Sequence, residues 1–232
     1  MRTILIIGAT KGIGAEISRA LLAEGDRVIA VARSIAGHEP TAQLQYLEGD
    51  LSTGVPDLAT LPEVIDGVVY CPGSINLKPF HRLTEAEFLA DWQQNVMGAI
   101  RIIQATLPNL KKGRNPAIVL FSTVAAGTGM PFHASIAASK AAVEGLTRSL
   151  AAEFAPTIRV NCIAPSLTNT PLAEKLLSSA DKMESGAKRH PLQRIGQPAD
   201  IAGLACFLLS EKAAWITGQI MHADGGMSAV RA

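Results

Sequence analysis

A chain of 232 residues and 24.4 kDa with 48% apolar side chains can bury one large core, so a single domain is expected. Net charge is +1 and the cations are scattered among the acids, which leaves no basic stripe for a nucleic-acid partner. The longest apolar runs, such as Ile201 to Leu209, are about half of the roughly 20 residues that cross a bilayer, so no membrane partner is expected.

Met1 to Ile7 is too short for a secretory segment. The three cysteines, Cys71, Cys162 and Cys206, lie far apart and suggest neither disulfides nor a metal clip. A cytoplasmic protein without a metal site is the expectation.

Ile4 to Ile7 is an apolar run that meets glycines at once, and Ile13, Ile17, Leu21 and Leu22 then recur at helical spacing, giving strand, turn and helix in succession. Arg27 to Ala32, Leu44 to Leu47 and Gly67 to Tyr70 are the next three strands. Thr84 and Glu87 have the form of a capping box before a helix carrying Phe88 and Trp92. Ala117 to Phe121 and Arg159 to Ala164 are fully apolar or nearly so, and between them an alanine-rich helix runs from about Ser135 to Phe154 and ends before Pro156. Asp200 to Leu209 is a helix and Gln219 to His222 a last strand. Strands apolar on both faces that alternate with helices predict an α/β fold, a parallel sheet covered on two sides.

Gly8-Ala9-Thr10-Lys11-Gly12-Ile13-Gly14 stands where the first strand hands over to the first helix. Glycines there permit a tight turn and let backbone N–H groups approach a pyrophosphate at the helix N-terminus. An acid at the end of the second strand would favour a free ribose 2′-hydroxyl; here the strand ends in Ala32-Arg33-Ser34. Arg33, with Lys11, can form charge-assisted bonds to a 2′-phosphate, so NADP(H) is the expected cofactor. Two solvated surface cations are the alternative reading.

From these residues onward the sequence resembles the short-chain dehydrogenases/reductases, essentially end to end. Gly8, Gly12 and Gly14 have the family's spacing, and Asp50-Leu51 is similar to its adenine-contacting pair. Asn95 falls at its structural asparagine, Ser122-Thr123 at the end of its fifth strand, and Ser139-Lys140 at the end of its YxxxK segment. Arg159-Val160-Asn161 with Pro165 resembles its sixth strand and exit, and Asp224-Gly225-Gly226 its C-terminal signature. The resemblance implies a Rossmann-like, doubly wound sheet of about seven strands, a nicotinamide cofactor, a small-molecule carbonyl or alcohol substrate, and a homo-oligomer, dimer or tetramer.

The same resemblance assigns the chemistry. Thr123 takes the place of the serine that polarises the substrate oxygen, Lys140 holds the nicotinamide ribose, and Asn95 orders a water behind it. Thirteen residues after Thr123 and four before Lys140, however, stands Ile136 where the family has its tyrosine acid/base. A missing general acid/base costs on the order of a hundred to ten thousand fold in rate. The family's Asn-Asn-Ala-Gly appears as Tyr70-Cys71-Pro72-Gly73, which puts Cys71, Pro72 and Gly73 beside the cofactor, and the glycine after Pro165 is Ser166. Thr168 and Thr170 fall where the family contacts the carboxamide and phosphates.

His133, three residues before Ile136, is the candidate replacement donor, because imidazole titrates near neutrality; a helix cap or surface side chain is the alternative. Ser135 reads as a cap of the helix. Tyr46 and Tyr70 read as packing residues, Cys71 as a small strand-end residue, and His190 and His222 as structural or solvated. Residues 166–197 read as a mobile flap over the substrate. The expected activity is an NADP(H)-dependent oxidoreductase with an atypical proton donor. A catalytically impaired dinucleotide-binding protein is the competing reading.

Overall fold

The computed structural model describes residues 1–231. Seven strands, β1 (Thr3–Ile7), β2 (Arg27–Ala32), β3 (Leu44–Glu48), β4 (Gly67–Tyr70), β5 (Ala117–Phe121), β6 (Arg159–Pro165) and β7 (Ile220–Ala223), form one sheet in the order β3-β2-β1-β4-β5-β6-β7. All six neighbouring pairs are parallel. The alternation within β1 explains why both faces must be covered. Leu5 and Ile7 face one core with residues of β2, β4 and β5, whereas Ile4 and Ile6 face the other.

The helices are α1 (Gly12–Ala23), α2 (Glu85–Trp92), α3 (Gly98–Leu110), the single turn α4 (Val124–Gly127), α5 (Ala134–Phe154), α6 (Ala180–Ala187) and α7 (Pro198–Leu209). Ile17 and Leu21 of α1 and Ile201, Ala205 and Leu208 of α7 cover one face of the sheet. Ile102 and Leu110 of α3 with Val143 and Ala151 of α5 cover the other. Burial of each such large aliphatic side chain stabilises by about 1.5–3 kcal/mol.

The expected capping box is present, with Thr84 Oγ1 accepting from Glu87 N and the Glu87 carboxylate accepting from Thr84 N. What lies beyond α2 is less regular. Residues Gln93–Met97 form a π-helical turn, and helical backbone on both sides joins α2 and α3 into one continuous rod. Gly98 is required at the joint, because a Cβ there would lie 1.9 Å from the Tyr70 hydroxyl, which donates to Gln94 O at 2.5 Å. Residues 166–197 hold a 3-10 turn (Pro171–Leu176), α6 and a small apolar cluster of Ala173, Leu177 and Ile195.

Candidate active site

The strand order reverses beside β1, and a crevice opens there at the carboxyl ends of β1 and β4, where doubly wound sheets bind ligands. Gly8 and Gly12 take φ values of +79° and +54°, in the left-handed region that glycine adopts freely. Gly14 has no room for any side chain, since a Cβ would lie 2.2 Å from the Gly8 carbonyl oxygen. α1 has neither a side-chain cap nor an acid in its first turn. Its amino end therefore presents N–H groups and the positive end of the helix dipole to an anion.

The crevice has a volume of about 470 Å³. The turn contributes Gly8, Thr10, Lys11, Gly12, Ile13 and Gly14, and the end of β2 contributes Arg33 and Ser34. Asp50 and Leu51 follow β3, Cys71, Pro72 and Gly73 follow β4, and Thr170 closes the far side. The Asp50 carboxylate accepts from Ser52 Oγ and N, and these bonds, with Arg33 nearby, hold its pKa below the ordinary value.

A second cavity of about 580 Å³ adjoins the crevice and shares Ile13, Cys71, Gly73 and Thr170 with it. Thr123, Lys140, His133, Pro165, Ser166 and Thr168 line this cavity, as does Ile136, which is 5% exposed. Ile136 and Lys140 reach the same wall because residues four apart share one face of α5. Thr123 starts α4, where its Oγ1 accepts from Ala125 N at 3.3 Å and keeps its own proton to donate. The neighbouring Ser122 hydroxyl is instead spent on Glu144 Oε1 at 2.7 Å.

Lys140 is 6% exposed, and its Nζ donates to Phe121 O at 2.9 Å. Burial lowers its pKa to about 8. Asn95 sits in the π turn, and its Nδ2 donates to Asp91 O and Ser74 Oγ. Its Oδ1 is buried and accepts no hydrogen bond among the described residues. A Cβ on Gly73 would lie 3.6 Å from Lys140 Nζ and 3.7 Å from that oxygen. An unused acceptor beside a buried ammonium, next to a glycine cradle, is a donor and acceptor set that fits a ribose and a water. The residues present therefore fit a nicotinamide dinucleotide.

Ser135 does not cap α5. His133 holds the cap position, and Ser135, 1% exposed, donates to Asp91 Oδ2 at 2.5 Å. The physical reason is the buried Asp91 carboxylate, whose oxygens take one hydroxyl from Ser135 and one from Ser74 at 2.6 Å. His133 makes a 2.7 Å contact from Nδ1 to Pro131 O, which leaves Nε2 for the cavity. Burial pushes the Cys71 thiol up to about 12, so it is no thiolate nucleophile near neutral pH.

His190, read from the sequence as structural or solvated, is buried. It is 2% exposed and forms part of the cavity wall, with Nε2 at 2.8 Å from Ser166 Oγ and Nδ1 at 2.9 Å from Gly186 O. The one available signal was a hydroxyl at Ser166, where the resembled pattern has glycine. Apolar side chains, among them Ile75, Leu77, Met130, Leu172 and Met227, complete the cavity.

Fold and site together define a Rossmann-like α/β protein with a crevice that fits a dinucleotide and a second cavity adjoining it. The family model described as Enoyl-(Acyl carrier protein) reductase matches residues 8–228. The chain is 33% identical over 243 residues to the 3-oxoacyl-(acyl-carrier-protein) reductase FabG of Thermotoga maritima, a match covering 97% of each chain. It is 30% identical over 241 residues to dehydrogenase/reductase SDR family member 4 of Homo sapiens, covering 97% of this chain and 87% of the other. The ligand-free structure of Thermoplasma acidophilum aldohexose dehydrogenase superposes with a TM-score of 0.89 at 28% identity, covering 99% of this chain and 95% of that one. The chain belongs to the short-chain dehydrogenase/reductase family, oxidoreductases that act on carbonyl and alcohol substrates with a nicotinamide dinucleotide. No helix among the described residues is long and apolar enough to cross a membrane.

Proposed function

We propose that the protein is an NADP(H)-dependent oxidoreductase that interconverts a carbonyl and an alcohol and takes its proton from a group other than a phenol. The observation that carries this reading is that Thr123 and Lys140 line one cavity that shares residues with the crevice, with the orphan Asn95 oxygen buried behind Gly73. A pure binder has little need for that arrangement. The dinucleotide, when bound, supplies or accepts the hydride. Lys11 and Arg33 at the adenosine end support the 2′-phosphorylated form.

Thr123 donates its hydroxyl hydrogen to the substrate oxygen and stabilises the charge that develops there. Lys140 holds the nicotinamide ribose with its ammonium, and Asn95 orders a water behind it through Oδ1. His133, which lines the cavity and whose Nε2 has no partner among the described residues, is one candidate for the proton donor. The apolar wall accepts an acyl or alkyl chain, and Lys175, Lys182 and Arg189 bring positive charge to the same cavity beside Asp181. The flap at 166–197 covers this chain. Assembly is a dimer or tetramer, for which the exposed small residues of α5 offer close helix approach.

Ile136 in the cavity wall favours a second reading, a dinucleotide-binding protein without turnover. The two are separated by measuring NADPH affinity through cofactor fluorescence and NADPH oxidation through absorbance. Acetoacetyl-CoA, ethyl acetoacetate, aliphatic aldehydes and phenanthrenequinone are the first substrates to try. Micromolar binding with turnover of any of them supports the enzyme; binding without turnover of any supports the second reading.

A further inference from the structure

We propose that Ser166, backed by His190, is the group that exchanges a proton with the substrate oxygen, an inference that rests on the oxidoreductase reading of the same cavity. Two changes from the resembled pattern meet here: the wall residue Ile136 brings no titratable group, and Ser166 adds a hydroxyl to the same cavity. Ser166 Oγ lies 2.8 Å from His190 Nε2. Its other side-chain partner among the described residues is Met227 Sδ at 3.1 Å, a weak acceptor.

The imidazole is oriented by the backbone. His190 Nδ1 lies 2.9 Å from Gly186 O, and because a carbonyl only accepts, Nδ1 carries hydrogen in both charge states. Gly225, at φ +62°, packs so closely that a Cβ would come within 3.3 Å of His190 Cβ. His133 has no comparable support: its Nδ1 is tied to a carbonyl two residues away and no hydroxyl adjoins its ring among the described residues. A nucleophile-like pair with the base held by a third group is the arrangement that moves protons in enzymes generally.

The steps balance in both directions. In reduction, hydride that the bound dinucleotide would supply to the carbonyl carbon would turn the C=O π pair into a lone pair on oxygen. That oxygen takes the Ser166 hydroxyl proton, and the serine oxygen takes the Nε2 proton of the His190 imidazolium. A neutral imidazole remains, with Nδ1–H still on Gly186 O, and solvent restores its proton. In oxidation the alcohol proton passes to Ser166 and the serine proton to neutral Nε2, while hydride leaves to NADP⁺.

Ser166→Gly and His190→Gln test the pair, the glutamine being able to donate to Gly186 O but unable to shuttle a proton. Acetoacetyl-CoA and phenanthrenequinone are the probes. The expected result is a kcat lowered at least about 100-fold in each variant with KM and the NADPH Kd within about threefold of the parent. Ile136→Tyr should then raise kcat at least about tenfold more in Ser166→Gly than in the parent, because the two donors replace each other; equal gains in both backgrounds would mean a structural role for Ser166.

A readout free of turnover is the ¹⁵N spectrum of ring-labelled protein. His190 should show a protonated Nδ1 and an Nε2 resonance that moves in Ser166→Ala. Turnover retained within threefold in Ser166→Gly, a loss confined to His133→Ala, or an Nε2 resonance indifferent to Ser166→Ala would each overturn the pair while leaving the oxidoreductase reading intact. NADPH binding by the parent without reduction of any probe would overturn both.

Discussion

Lys140→Met isolates the cost of burying a charge in this site. The ammonium drops from the ordinary 10.5 to about 8 through desolvation, and the side chain is nearly inaccessible. At about 1.4 kcal/mol per pH unit, the charged lysine costs the fold about 3 kcal/mol at neutral pH. The sign follows from the lowered folded pKa. Below pH 8 lysine is protonated in both folded and unfolded chains, and the full penalty is present. Between 8 and 10.5 the folded protein sheds the proton first and the penalty fades, so stability rises with pH through that window. About 2 kcal/mol of it is regained by pH 10.

Methionine has no charge to desolvate but leaves the Phe121 carbonyl without its donor, a pH-independent offset of about 1–3 kcal/mol. Urea unfolding followed by far-ultraviolet circular dichroism at pH 7.5 and pH 10 measures both proteins. The comparison must be a difference, because Cys71 and Cys162, pushed to about 12, and Cys206, pushed to about 11, destabilise the fold above pH 9 in either protein. The parent should gain about 2 kcal/mol on the variant between the two pH values. A difference that stays flat would refute the reasoning, since it would mean that Lys140 keeps its water when the chain folds.

Ile136→Tyr places a phenol four residues before Lys140 at the wall of the cavity, and in NADPH-oxidation assays at pH 7 carbonyl reduction should rise about 10²- to 10⁴-fold in the Ser166→Gly background but less than about tenfold in the parent, which has its own donor. Arg33→Ala removes one charge-assisted partner of a 2′-phosphate, so the NADPH Kd should increase about 10- to 100-fold while the NADH Kd stays unchanged, both read by cofactor fluorescence. Gly145 is exposed on α5 and a Cβ there would meet nothing within 4 Å. Gly145→Arg should therefore leave the protomer folded, with about 1 kcal/mol better helix propensity, and give a monomer in light scattering where the parent gives the proposed dimer or tetramer.

The sheet was legible because parallel strands covered on both faces are written as unbroken apolar runs, and β2, β4 and β5 begin and end where those runs do. The glycine turn was legible for a related reason: close approach of Gly14 to Gly8 O forbids any other residue. α3 left no such mark. It continues from α2 through the π turn and so carries no cap of its own to announce it. Ser135 misled because a serine near a helix start satisfies a local rule, and the buried Asp91 that claims its hydroxyl lies 44 positions earlier. His190 and Ser166 are 24 positions apart with no periodic relation, and only the folding of residues 166–197 around α6 brings them together.

Ile136 and Ser166 share a property of placement: one lies on the first turns of α5, the other just past the last residue of β6. Ile136 contributes no rung to the hydrogen-bonded ladder and Ser166 only its closing one, from N to Ala223 O at 3.4 Å, and the registers run on undisturbed beneath them. Side chains perched at the rim of such a sheet can be exchanged without reopening the framework that carries them. This architecture thus lets the chemistry of the bowl drift while the scaffold under it stays the same.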